Sequence, residues 1–167
     1  MHQLVRGIAC TIAFCFLPAA YGQTAAAPPA AAPSYGSPIT LDQARTVMEA
    51  AEAEARKNNW NVAIAIVDSG AHLVMLHKID DTQHASIDIA HGKATSAVNL
   101  RRPTKSLEDA VAAGGAGLRL LAVRGIYPLE GGIPIVLGGK IVGGIGVSGV
   151  TSSQDAQVAR VGMDALK

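Results

Sequence analysis

The stretch from Gly131 to Ala159, "GGIPIVLGGKIVGGIGVSGVTSSQDAQVA", limits the possible folds more than any other part of the chain. Two apolar runs, Ile133–Leu137 and Lys140–Ser148, flank Gly138-Gly139. A Gly-Gly pair accepts positive φ at both central positions of a tight turn, so the runs read as a β-hairpin. Ser152 then reads as the N-cap of a last helix, with Asp155 at its positive end. Gly144-x-Gly146-x-x-Gly149 matches the spacing of a dinucleotide-binding loop. That loop needs a further parallel strand and an acidic residue about 20 positions on. The sequence runs only one helix further, to Lys167, so nucleotide binding is not expected.

The preceding region has the same mixed character. Thr40-Leu41-Asp42-Gln43 reads as a capping box opening a helix that runs to about Asn58. Val62–Val67, "VAIAIV", is apolar throughout, as a strand covered on both faces must be. Asp68-Ser69-Gly70 turns the chain into a second strand, His72–His77. A second helix is expected over Gln83–Leu100, stopped by Pro103, and a third from Ser106 with that serine as N-cap. Tight turns within each strand pair predict antiparallel pairing. The expected fold class is α/β (α+β), one domain with an antiparallel sheet flanked by helices in two or three layers.

Met1–Arg6 is positively charged, Gly7–Leu17 is an apolar run too short to span a bilayer, and Ala20-Tyr21-Gly22 supplies small residues for cleavage. Residues 1–22 are therefore read as a secretory signal peptide, and the protein is expected to be periplasmic or secreted. Both cysteines, Cys10 and Cys15, fall in this leader, which excludes disulfides and thiolate chemistry from the remainder. Residues 23–38 are rich in Ala and Pro and read as a flexible tether. The whole chain has 14 Lys plus Arg against 13 Asp plus Glu, and loss of Arg6 evens them. Neither a nucleic-acid partner nor membrane insertion after cleavage is expected.

"VAIAIVDSGAHLVMLHKIDD", "SIDIAHGKATSAV", "GGIPIVLGGKIVGGIGVSG" and "QDAQVA", in this order, resemble the GlcG/HbpS-like family of haem-degrading domains, over residues 39–167. The resemblance implies a profilin-like fold, a homo-oligomer, and haem as cofactor. His84 opens a helix just after the family's Asp-Asp loop and is the first candidate axial ligand, with His77 second. His84 and His91 are seven residues apart and can share a helix face with Asp88, so His84, His77 and His91 are the candidate metal ligands. Relatives tend to carry threonine at the place of Thr104, whose hydroxyl is a candidate to line a polar pocket. Lys93 and Arg101 are candidate cations for the propionates.

The glycines around Gly132 let backbone approach a ligand, a helix or another subunit closely. Backbone amides near Ser148, at the start of the last helix, are suited to a carboxylate. Ser148 itself lacks the spacing of a nucleophile elbow. Three function classes follow: an exported haem-binding protein that degrades haem or sequesters its iron; a small organic-acid-binding enzyme or accessory protein using the same glycine-rich pocket without haem; and an oligomeric structural or interaction module.

Overall fold

The computed structural model describes residues 31–166, so the signal-peptide reading and the first half of the Ala/Pro-rich stretch, residues 23–30, lie outside the described residues. The elements run β1 (Ser34–Tyr35), α1 (Leu41–Lys57), β2 (Ala63–Asp68), β3 (Leu73–Lys78), α2 (Ser86–Asn99), α3 (Lys105–Ala112), a 3₁₀ stretch (Gly115–Ala122), β4 (Gly132–Leu137), β5 (Lys140–Ser148) and α4 (Ser152–Asp164). β5 is the spine of the five-stranded sheet. It pairs antiparallel with β4 along one edge and with β2 along the other, and β3 pairs antiparallel with β2. β1 adds in parallel beside Lys140 and Ile141. Pro134 sits in β4, an edge strand, where its missing N–H does not interrupt the sheet.

The two faces of the sheet are covered differently. Ile64, Ile66, Ile145 and Val147 point to the face where α1 and α4 pack, meeting Val47, Met48, Val158 and Ala159. Each such buried aliphatic contributes about 1.5–3 kcal/mol. The opposite face carries Ala63 and Ala65 on β2 and Gly144 and Gly146 on β5, and α2 meets it with Ala90 and Ala94. Small residues on both sides bring helix backbone onto sheet backbone. A Cβ at Gly146 would collide with the Ala90 carbonyl oxygen and the Ala94 amide, and one at Gly144 would lie 2.7 Å from Val98 Cγ2. These glycines serve helix packing, and the dinucleotide-like spacing is a by-product of it.

The sequence-based boundaries move at several points. The capping box of α1 forms as expected, with Gln43 N donating to Thr40 Oγ1. For α4 the cap is Thr151, not Ser152, and it forms a second capping box with Gln154. α3 starts at Lys105, so Ser106 lies inside the helix and its hydroxyl donates to the Pro103 carbonyl. α2 starts at Ser86, which leaves His84 in the preceding turn. Tyr35, assigned to the tether by sequence, donates its hydroxyl to the Val98 carbonyl at the end of α2 (3.0 Å), and the Gly36 amide donates to Ile141. The domain thus begins before Ile39.

Gly146→Ala is expected to lower stability by about 1–3 kcal/mol through overpacking of α2. Thr151→Ala, which removes only the α4 cap, costs about 1 kcal/mol. Urea denaturation of both variants checks the order; equal midpoints would refute the close-packing account.

Candidate functional site

Two places bring chemistry-bearing residues together, on the α2 side of the sheet. The first is a buried polar node. Lys93 projects from the inner face of α2 and is 2% exposed. Its ammonium donates to Asp155 Oδ2 (2.8 Å) and to the Val147 carbonyl (2.9 Å). Asp155, in the first turn of α4, also accepts from the Val150 amide through Oδ1. Burial pushes the Asp155 carboxyl above the ordinary carboxylate range, against the opposing pull of the Lys93 ammonium and the Val150 and Gly149 amides. Beside this pair Gly131 takes a φ of 123°, which favours glycine, and its carbonyl accepts from the Val147 amide.

Thr104 closes the node. Its hydroxyl accepts from the Gly132 amide (2.9 Å), and its own amide donates to the Gly132 carbonyl (2.9 Å). A Cβ at Gly132 would collide with the Lys93 carbonyl and approach Thr104 Cγ2. Lys93, Thr104 and Gly132 therefore do converge, but on one another. Lys93 is committed to Asp155, and the Thr104 hydroxyl to the main chain. Gly132 makes room for α2. Ser148 is also buried, its hydroxyl 3.3 Å from that of Ser86. Arg101 lies apart from the node; it is exposed, with φ 52° past the end of α2, and its guanidinium sits 5.9 Å from the Tyr35 ring centroid.

The second place is a cavity of about 240 Å³ lined by Asp88, His91, Gly92, Thr95, Gly125 and Tyr127. Tyr127 lies against Gly92, where a Cβ would collide with the ring, and its amide donates to Ser96 Oγ (2.8 Å). His91 Nε2 is buried and has no hydrogen-bond partner among the described residues. A nitrogen in that state is available to a ligand or a metal ion.

The three candidate metal-ligating histidines do not share a site. His77 faces the α1 side of the sheet, where Nδ1 lies 3.0 Å from Glu52 Oε2, and this hydrogen bond, together with Arg56, holds the Glu52 carboxyl below its ordinary range. His84 is exposed in the turn before α2. His91 lies on the other face from His77. No cluster of three or more His, Cys, Asp or Glu suited to a metal ion occurs among the described residues. Sequence reasoning missed Asp155 as the partner of Lys93 and missed Tyr127 altogether. The only local signal for the first is a lysine at an inward position of an otherwise Ala-rich helix.

Asp155→Ala is expected to destabilise the fold by about 3–5 kcal/mol, because it leaves a buried ammonium without its counter-ion. The double variant Lys93→Met with Asp155→Leu should cost clearly less than the sum of the single changes, read by urea denaturation. Additive losses would show that the pair is not coupled.

Residues 39–164 match the family model described as haem degrading protein HbpS-like. Protein GlcG of Escherichia coli K12 is 39% identical over 110 residues, covering 66% of this chain and 81% of GlcG. The crystal structure of HbpS superposes with a TM-score of 0.73 at 30% identity, covering 80% of this chain and 94% of that one. The crystal structure of a PduOC:haem complex gives 0.72 at 26% identity, covering 78% and 96%. With the sheet, the helix order and the matched span in agreement, the chain belongs to the HbpS-like family.

Proposed function

We propose that this protein binds haem outside the cytoplasm and holds its iron there. The observation that carries the reading is the fold it shares with PduOC, a protein solved with haem bound. Haem requires an axial donor, an apolar surface and cations for its propionates. This chain has no cysteine after residue 22, so the donor set is nitrogen, oxygen or thioether. His91 Nε2, buried and unpartnered, fits the first requirement. Haem, when bound, supplies an iron centre that accepts such a nitrogen. The residues at the buried node do not take part: Lys93, Thr104 and Gly132 hold α2, α3 and β4 together.

Export follows from the leader reading of residues 1–22. Haem degradation is a separable property and is tested separately below. One observation favours a second reading. The cavity at His91 is smaller than the roughly 300–1,000 Å³ usual for drug-sized ligands, which suits a small organic molecule bound without haem.

A haemin titration of the protein, followed by absorbance and size-exclusion chromatography, decides between these. The expected result is a saturable, red-shifted Soret band at fixed stoichiometry per protomer, and the elution volume reports the oligomer. A featureless, non-saturating response would discard haem in favour of the smaller ligand. A Soret band that decays with a reductant in air, with iron passing to a chelator, extends the reading to degradation; a stable band limits it to binding.

A further inference from the structure

We infer that the crevice where the starts of α3 and β4 meet α4 binds the ammonium-carboxylate head of a small amino acid, with Arg160 on the carboxylate and Glu130 on the ammonium. The site does not depend on the haem reading, because the crevice shares no lining residue with the cavity at His91.

The crevice follows from the buried joint. Thr104 holds the backbone of Gly132 through its hydroxyl and its amide, which sets β4 against the start of α3. The Glu130 amide donates to Glu108 Oε2 (2.7 Å), which sets residue 130 against the same helix. Asp155, bound to Lys93, fixes the first turn of α4, and Ala156 and Arg160 follow it on one face of that helix. Where the three elements meet, Gly131 and Gly132 carry no side chains, and a space of about 40 Å³ remains. A water molecule needs about 10–15 Å³ of cavity, so this one has room for a small charged head and not for a large ligand. Its walls are held before anything binds, so little ordering accompanies binding.

The charges in the lining select the ligand. Three charged side chains border the crevice: Lys105, Glu130 and Arg160. Lys105 is bound to Asp109, which offsets its charge. Neither the Arg160 guanidinium nor the Glu130 carboxylate forms a hydrogen bond or ion pair among the described residues. One cation and one anion therefore border a single small space without meeting each other. A simple acid entering it is drawn to Arg160 and repelled by Glu130, and a simple amine meets the reverse. A molecule carrying both charges finds a partner for each.

The donor and acceptor chemistry agrees with this. The planar guanidinium of Arg160 presents paired N–H donors that match a carboxylate. The Glu130 carboxylate accepts only, and an ammonium offers it three donors. The space admits the head of an amino acid and leaves its side chain at the mouth, so recognition is of the head. Lys93, Thr104 and Asp155 touch no ligand in this arrangement; they position the elements that carry Glu130 and Arg160.

The test titrates the protein with glycine and with its two halves, acetate and methylammonium, and follows the amide signals of Gly131, Gly132 and Ala156 by NMR. Glycine is expected to shift them saturably and to bind about fivefold more tightly than either half, the upper range for one exposed ion pair. Glu130→Gln should bring glycine to the level of acetate, and Arg160→Gln to that of methylammonium, each with an unchanged circular dichroism spectrum. Arg45→Gln, which removes an exposed cation from α1, should leave glycine binding as it is. Acetate binding the wild type as tightly as glycine makes this an anion site, and methylammonium doing so makes it a cation site; either result overturns the assignment. Signals that move with none of the three probes overturn the site itself. The three probes on the wild type decide the question even where a variant fails to fold, and none of these outcomes alters the haemin titration.

Discussion

The close approach of α2 to the sheet underlies the rest of the structure. Because β5 presents Gly144 and Gly146 to that helix, and β2 presents Ala63 and Ala65, backbone settles on backbone with little side-chain volume between them. At this distance no aliphatic layer of ordinary size fits. The one long side chain on the inner face of α2, Lys93, must run to the end of the sheet, and its ammonium has to be satisfied there. Asp155 and the Val147 carbonyl supply the partners. A buried ion pair of this kind is modest as net stabilisation, since desolvation opposes the attraction, but breaking it is costly. It ties the first turn of α4 to the middle of α2.

The consequences reach α3 and β4. Gly131 and Gly132 pass so near Lys93 that no side chain is accommodated at the second position, and Thr104 ties that backbone to the start of α3. Residues that look like a ligand cradle in the sequence are thus the joint between four elements. The outer side of α2 carries a different load. His91 and Asp88 line a cavity closed on its other side by Gly125 and Tyr127. One helix serves as a packing surface on one side and as the wall of a cavity on the other, and the rigid side positions the open one.

Much of this was legible in the sequence. Capping boxes, a Gly-Gly hairpin turn and an all-apolar central strand are local signals, and each appears close to where it was read. The motifs in order also implied the family, which the matched span bears out. Boundaries shifted where two capping residues compete, as Thr151 does with Ser152, because the side chain that caps is the one whose backbone is still extended. β1 was invisible, since two residues in an Ala/Pro-rich stretch carry no periodicity; only the free edge of β5 at Lys140 and Ile141 makes them a strand.

For the site, the sequence determined which donors exist: histidines, one inward lysine, a threonine before α3 and glycines along β5. It could not say which of them meet. His77 and His91 occupy opposite faces of one sheet, a fact set by strand register and helix placement. Lys93 finds Asp155 sixty-two positions away. Tyr127 has no motif, and it matters only because Gly92 leaves room for its ring. Local propensity and capping act within a few residues, so the sequence alone determined the elements and the chemical inventory. Pairing of buried charge and the shape of a cavity depend on distant residues brought together by packing, so only the tertiary structure decided that the lysine is structural and that His91 faces a cavity without a partner.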